Sequence, residues 1–247
     1  MEKIALVTGS SRGIGRAAVR KLAAAGYAVC INYRERQDCA DALVEELTAA
    51  GQRAMAVQAD VSVRQQVNDM VRRVEDAFGP VSLLVNNAGG GGPKPFDMPM
   101  DDFRWAYEIN VFGLFRLIQL ATPHMEKEKR GAVLNISSMS GENKNTRMAS
   151  YGSSKAAVNH LTRNIAFDLG AKGIRVNAIA PGATKTDALA SVLTPEIEAT
   201  MLQHTPIKRL GEAEDIARAA LFLCSPAASW ISGQLLTVSG GGVQELD

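Results

Sequence analysis

The run Ile4-Ala5-Leu6-Val7-Thr8-Gly9-Ser10-Ser11-Arg12-Gly13-Ile14-Gly15 passes from apolar strand formers through a glycine-rich turn into a helical repeat. Beyond the turn, Ile14, Ala17, Ala18, Leu22 and Ala25 recur close to every 3.6 residues, which predicts a helix over about 13–25. Strand, glycine turn and helix in that order open a dinucleotide-binding βαβ unit. In such a turn Gly9 allows the tight bend, Gly13 lets backbone approach a pyrophosphate, and Gly15 permits close helix–strand packing. The helix start supplies N–H donors and a partial positive charge to a phosphate. Ser11, Arg12 and Ile14 belong to the same cofactor loop.

The same alternation continues along the chain. Apolar runs at Ala28–Ile31, Ala54–Gln58, Leu83–Val85, Ala132–Ile136, Arg175–Ile179 and Gln234–Val238 read as strands. Helical spacing fills 40–49, 63–78, 101–127, 151–170 and 213–224. Strands that are apolar throughout, rather than strictly alternating, belong to a parallel sheet covered on both faces. The expected fold class is therefore α/β: a Rossmann-type, doubly wound parallel sheet in a single domain spanning 1–247. One irregular stretch, about 182–210, leaves the carboxyl end of the sixth strand, where open sheets bind ligands, and is expected to be a substrate lid.

Bulk properties exclude several function classes. A net charge of +1 offers no basic excess for nucleic acid. No apolar run reaches the roughly 18 residues of a membrane span, and Met1-Glu2-Lys3-Ile4 carries no apolar signal core, so a cytoplasmic location is expected. Cys30, Cys39 and Cys224 lack metal-ligand spacing and read as reduced thiols. His124, His160 and His204 are too scattered for a metal set, so no metal is expected. Trp105 and Trp230 are expected to pack rather than stack on a ligand.

The end of the second strand bears on which nicotinamide cofactor fits. NAD binders place a carboxylate there to bond the ribose 2′-hydroxyl. Here stand Asn32-Tyr33-Arg34, with Glu35 following and Arg12 in the glycine loop. Two guanidiniums clamp a 2′-phosphate that a carboxylate would repel, so NADP is expected over NAD.

At Tyr151-Gly152-Ser153-Ser154-Lys155, the tyrosine and lysine stand four residues apart on one helix face. A neighbouring ammonium favours a phenolate, which suits acid–base work by a group with an ordinary pKa near 10. Together with Asp60-Val61, Asn86-Asn87-Ala88-Gly89, Asn110, Ser138 and Pro181-Gly182…Thr186, this order of motifs resembles the short-chain dehydrogenase/reductase family over essentially the whole chain.

That resemblance implies roles. Tyr151 would be the general acid in reduction and the general base in oxidation, with Lys155 lowering its pKa and holding the nicotinamide ribose. Ser138, thirteen positions before the tyrosine, would bond the substrate oxygen, and Asn110 would hold a water linking Lys155 to solvent. Asp60 and Val61 would bracket the adenine, and Asn87, Ala88 and Gly89 would floor the cofactor. Pro181, Gly182 and Thr186 would meet the nicotinamide end. Thr184 stands where the family usually has an aliphatic residue, which puts its nicotinamide contact in question.

The later half, notably Gly89–Met100, Gly141–Asn145, Thr194–Gly211 and Leu221–Glu245, resembles bacterial members of the family that act on the 7α-hydroxyl of steroids. Up to about Val85 the chain looks more like generic NADP-using members. Gly90, Gly91 and Gly92 would leave room for a rigid ring system, under an apolar cover of Leu189, Val192, Leu193, Ile197, Met201 and Leu202. Asn143 is a candidate polar contact to substrate. The resemblance also implies a homotetramer, with helices 101–127 and 151–170 at one interface and the tail Gln244-Glu245-Leu246-Asp247 near a subunit boundary. A 3-oxoacyl-carrier-protein reductase or other short-chain carbonyl reductase shares every catalytic motif and is the alternative. A non-catalytic nicotinamide sensor would not need Ser138, Tyr151 and Lys155.

Overall fold

The computed structural model describes residues 3–144 and 146–242, so the tail from Gln244 and the position of Asn145 lie outside the described residues. In chain order the elements are β1 (Ile4–Val7), α1 (Gly13–Ala24), β2 (Ala28–Tyr33), α2 (Gln37–Ala49), β3 (Ala54–Gln58), α3 (Arg64–Phe78), β4 (Leu83–Asn86) and α4 (Met100–Tyr107). A π-helical stretch, Glu108–Gly113, leads into α5 (Leu114–Lys127), then β5 (Gly131–Ile136), α6 (Ala149–Gly170) and β6 (Ile174–Pro181). The chain closes with β7 (Thr184–Lys185), α7 (Asp187–Ala190), α8 (Pro195–Gln203), β8 (Gly211–Glu212), α9 (Ala213–Cys224) and β9 (Leu235–Val238).

Seven strands form one parallel sheet in the order β3-β2-β1-β4-β5-β6-β9. The order reverses between β1 and β4, and the crevice beyond their carboxyl ends is where an open sheet of this kind binds its ligand. Both faces are covered, as the unbroken apolar strands required. On one face Ile4, Leu6, Met70, Leu117 and Val158 form a core under α3, α5 and α6. On the other, Ala5, Val7, Leu22, Leu43 and Ile216 pack beneath α1, α2 and α9. Among α1 and α9, Ala17, Ala18 and Ala217 let the two backbones come close.

Two departures from the sequence expectation bear on the site. The helix expected over 101–127 is divided by the π-helical turn 108–113, where Gly113 backs onto the Val61 carbonyl so closely that a Cβ would collide. Widened turns of this kind gather at functional sites, and this one carries Asn110 inward. The stretch 182–210 is not irregular throughout: it contains α7 and α8, capped by the Thr186 and Thr194 hydroxyls, and β7 pairs in parallel with β8 to close its base.

Candidate active site

Thr8 to Gly15 stitch β1 to its neighbours. Gly9 and Gly13 take φ of +59° and +56°, the left-handed region where a side chain is strained. A Cβ on Gly15 would lie 2.5 Å from Asn87 Nδ2 and 2.7 Å from Ser10 Cα, so its packing role is against the next loop as well as the strand. Thr8 Oγ1 accepts from the N–H groups of Asn87 and Ala88 at 3.0 Å each, and Asn87 Nδ2 donates to the Thr8 and Gly9 carbonyls at 2.9 Å each. The loops after β1 and β4 are thereby one unit. Asn32 serves the same purpose from β2: its Oδ1 accepts from Gly9 N–H at 3.0 Å and its Nδ2 donates to the Ala59 carbonyl at 3.0 Å. The Asn32 amide is therefore committed to the protein.

These loops border a cleft of about 600 Å³. It runs from Arg12 and Arg34, past the α1 start, to Tyr151 and Trp105. The N-terminus of α1 has no side-chain cap, so its first N–H groups face the cleft mouth unclaimed by a side chain. Among the candidate catalytic, cofactor-binding and polar substrate residues named from sequence, Gly15, Asn110 and Asn143 do not border this cleft and the others do; of the expected apolar cover, Leu193, Ile197, Met201 and Leu202 do not border it either. Asp60 takes part with its carboxylate turned to its own loop, accepting from Ser62 N–H at 2.9 Å and Ser62 Oγ at 2.6 Å.

At the rim, Arg34 pairs with Glu35 at 2.5 Å and lies 3.9 Å from Asp60, while Arg12 lies 3.7 Å from Asp187 of α7. The Arg12–Asp187 and Arg34–Glu35 contacts are solvent-exposed, so each holds its arginine weakly. Arg36 instead forms a paired contact with Asp38, at 3.0 and 2.8 Å.

Deeper in, Ser138 sits at the end of β5 in extended backbone and caps the short 3-10 turn Met139–Gly141, accepting from Ser140 N–H at 3.1 Å. Its hydroxyl stands near enough to the Tyr151 phenol to act on its acidity. Lys155, one turn on along α6, is 4% exposed and donates through Nζ to the Ile136 carbonyl at 2.9 Å. Burial drives the Lys155 ammonium down to about 8. Burial also raises the Tyr151 phenol above its ordinary value, with Ser138 opposing. In the protein alone the lysine therefore does not bring the phenol below its ordinary value: Nζ lies 5.7 Å from the Tyr151 ring centre, and the cost of desolvating a phenolate dominates.

Asn110 lies behind this group. Its Oδ1 accepts from Gly90 N–H at 3.0 Å, and its Nδ2 donates to the Gly90 carbonyl at 2.8 Å and Ser154 Oγ at 2.9 Å. It pins the glycine loop to α6. Gly90 and Gly91 do not open empty space as expected. A Cβ on Gly90 would strike Trp105 at 2.6 Å, and one on Gly91 would come within 3.0 Å of Tyr151, whereas Gly92 faces open room. Of the expected apolar cover, Leu189 and Val192 border the cleft; Ile197 stands exposed on α8. Asn143 follows the 3-10 turn with a buried Nδ2 that has no hydrogen-bond partner among the described residues.

Sequence reading missed a second tier. Ser137, next to Ser138, donates to Asn159 Oδ1 at 2.5 Å, and Asn159 Nδ2 donates to Glu142 Oε1 at 2.6 Å. Asn159 falls four residues past Lys155 on the same helix face, which is the one signal that pointed to it.

Comparison with known proteins agrees with this geometry. A family model described as enoyl-(acyl carrier protein) reductase matches residues 9–242. The 7α-hydroxysteroid dehydrogenase of Escherichia coli strain K12 is 58% identical over 245 residues, covering 99% of this chain and 96% of that one. The chain belongs to the short-chain dehydrogenase/reductase family. Within the short-chain dehydrogenase/reductase family, a 3-oxoacyl-acyl-carrier-protein reductase of Staphylococcus epidermidis is 41% identical over 243 residues, 98% of this chain and 99% of the relative. A solved structure of 7α-hydroxysteroid dehydrogenase complexed with NADH and 7-oxo glycochenodeoxycholic acid matches with a TM-score of 0.96 and 58% identity, over 99% of this chain and 96% of that one. The chain is accordingly an oxidoreductase of the short-chain dehydrogenase/reductase family with a nicotinamide cofactor. Among the described residues no helix is long and apolar enough to cross a membrane, and no cluster of side chains could hold a metal.

Proposed function

We propose that this protein is an NADP-dependent hydroxysteroid dehydrogenase interconverting a 7α-hydroxyl and a 7-ketone on bile-acid-type steroids. The observation that carries the reading is the gathering of Ser138, Tyr151 and buried Lys155 in one cleft that Arg12 and Arg34 border at its far end. The family relatives favour the steroid: the E. coli enzyme and its solved counterpart, complexed with a 7-oxo bile acid, share 58% of residues with this chain.

The residues present fit a nicotinamide dinucleotide. Gly9, Gly13 and the uncapped α1 start suit its pyrophosphate; Asp60 and Val61 its adenine; Asn87, Ala88 and Gly89 its ribose. Pro181, Gly182, Thr184 and Thr186 border the nicotinamide end, with the Thr184 hydroxyl turned away to the Gly182 carbonyl at 2.9 Å. When bound, the cofactor supplies or accepts a hydride. Arg12 and Arg34 favour NADP, because their exposed partners release them readily to a 2′-phosphate.

The chain's own residues manage the proton. Tyr151 donates it to the carbonyl oxygen in reduction and removes it from the hydroxyl in oxidation. Ser138 steadies that oxygen as charge develops. Lys155 holds the ribose and, when protonated, stabilises the phenolate, while Asn110 orders the water path behind it. The stretch 182–210 closes over the substrate with Leu189 and Val192 facing it. Exposed Phe112, Phe115 and Phe167, on the helices expected at an interface, support a homotetramer in the cytoplasm.

The test follows reduced-nicotinamide absorbance with cholic acid and either NADP or NAD. Rapid reduction of NADP with little of NAD supports substrate and cofactor together. No reaction with either, while an acetoacetyl thioester is reduced by NADPH, moves the protein to the acyl-reductase reading of its 41%-identical relatives.

A further inference from the structure

A second cavity, of about 700 Å³, opens at the amino ends of β1, β4, β5 and β6, the opposite edge of the sheet from the cleft. Its accessible apolar surface comes from Tyr27, Pro226 and Trp230, over a floor in which Leu83, Ala132, Ile174 and the Cys224 thiol are buried. Its charged groups are all cations: Lys3, Arg130 and Arg175. Among the described residues none of the three forms an ion pair with a carboxylate.

Arg175 is the telling one. Its guanidinium is partly desolvated and donates to neutral carbonyls, Leu223 at 2.7 Å and Ser225 at 3.2 Å. Carbonyl dipoles orient a guanidinium without cancelling its charge, so the field of Arg175 reaches into the cavity. Tyr27 lies close to both Arg130 and Arg175, and Lys3 stands 5.5 Å from its ring centre. A phenol donor and three cations thus converge on an apolar pocket, with Trp230, 99% exposed, at its edge. Trp230 was expected to pack and does not.

We infer that this cavity binds an organic anion with an apolar body, its carboxylate or sulfonate held by Arg130, Arg175 and Lys3 and its body against Tyr27, Pro226 and Trp230. An unpaired, half-buried guanidinium gains most from a charge-assisted bond to an oxyanion, and an apolar wall of this volume gains from hydrophobic mass rather than inorganic phosphate. The inference stands apart from the catalytic reading, since no residue of the cleft takes part.

The chain carries two tryptophans, Trp105 at the cleft and Trp230 at this cavity, so fluorotryptophan labelling gives one fluorine resonance for each site. Trp230→Phe identifies the second by its loss. Decanoate, titrated below its micellar range, is expected to shift the Trp230 resonance saturably, and decanol at the same concentrations to leave it in place. Charge reversal at two exposed positions, Lys3→Glu with Arg130→Glu, should weaken decanoate about tenfold or more while the circular dichroism spectrum and turnover in the cleft stay unchanged. No saturable shift, an equal shift with decanol, or a shift untouched by charge reversal would overturn the site. A shift whose midpoint follows protein concentration would assign the cavity to a second copy of the chain instead and equally refute the small-anion reading.

Discussion

Lys155 Nζ is tied to the carbonyl of Ile136 at 2.9 Å, so the ammonium that borders the cleft is anchored to the last residue of β5, next to Ser137 and Ser138. That placement fixes the lysine at the expense of its hydration, and burial lowers it from 10.5 to about 8.

The first prediction follows from that burial. Below about pH 8 Lys155 is charged in both folded and unfolded chain, and the folded state bears the full desolvation cost. Between about 8 and 10.5 the folded chain releases the proton while the unfolded chain keeps it, so this cost is relieved as pH rises. Lys155→Met removes a penalty of about 3 kcal/mol and forfeits a hydrogen bond of about 1 kcal/mol. The variant should lose turnover and, without added cofactor, be more stable than the natural chain at pH 7, its advantage shrinking from pH 8 to 10.5. Urea midpoints across that range check it, and a variant less stable at pH 7 contradicts it.

Tyr151→Phe keeps the ring that Gly91 packs against and removes only the hydroxyl. NADP binding, read by calorimetry, should persist, while kcat for steroid oxidation falls roughly 100- to 10,000-fold. Retained turnover would remove Tyr151 from the proton path.

The Ser137–Asn159–Glu142 chain ties the end of β5, α6 and the loop after the 3-10 turn together. Asn159→Ala leaves the buried Ser137 hydroxyl only its longer bond to the Lys155 carbonyl, 3.3 Å, and should cost about 1 kcal/mol. Because Ser138 is adjacent, kcat should fall while the KM for cofactor, set at the far end of the cleft, holds. A loss confined to cofactor KM would sink this positioning role.

At the rim, Arg34→Asp exchanges a guanidinium for a carboxylate beside Glu35. The ratio of kcat/KM for NADP over NAD should drop about ten- to a hundredfold, the worth of one charge-assisted contact. An unchanged ratio would count against the NADP assignment.

Much of this architecture was legible because parallel strands buried on two faces must be apolar along their length. The bounds Ile4–Val7 and Ala54–Gln58 are those the residues suggest, and β2 runs two residues further because Asn32 and Tyr33 remain paired with β3. The π-helical turn was not legible: Gly113 signals a close approach only once Val61 is known to lie behind it. In the stretch 182–210, the caps Thr186 and Thr194-Pro195 were present as ordinary helix-start chemistry but were outweighed by its Thr, Ala and Pro content. Side-chain bonds such as Ser137 to Asn159 join residues 22 positions apart, and no local pattern encodes them.

Parallel pairing of Thr184 with Gly211 and Lys185 with Glu212 brings both ends of that stretch side by side at one neck. A segment whose ends already meet can change length or composition with little entropic cost to the body that carries it. On the proposed reading of this stretch as the substrate cover, it is therefore a cassette. Everything between the neck residues is open to replacement by a foreign loop of different shape, with the sheet, Tyr151 and Lys155 left as they are, and substrate range becomes a property that can be exchanged in one piece.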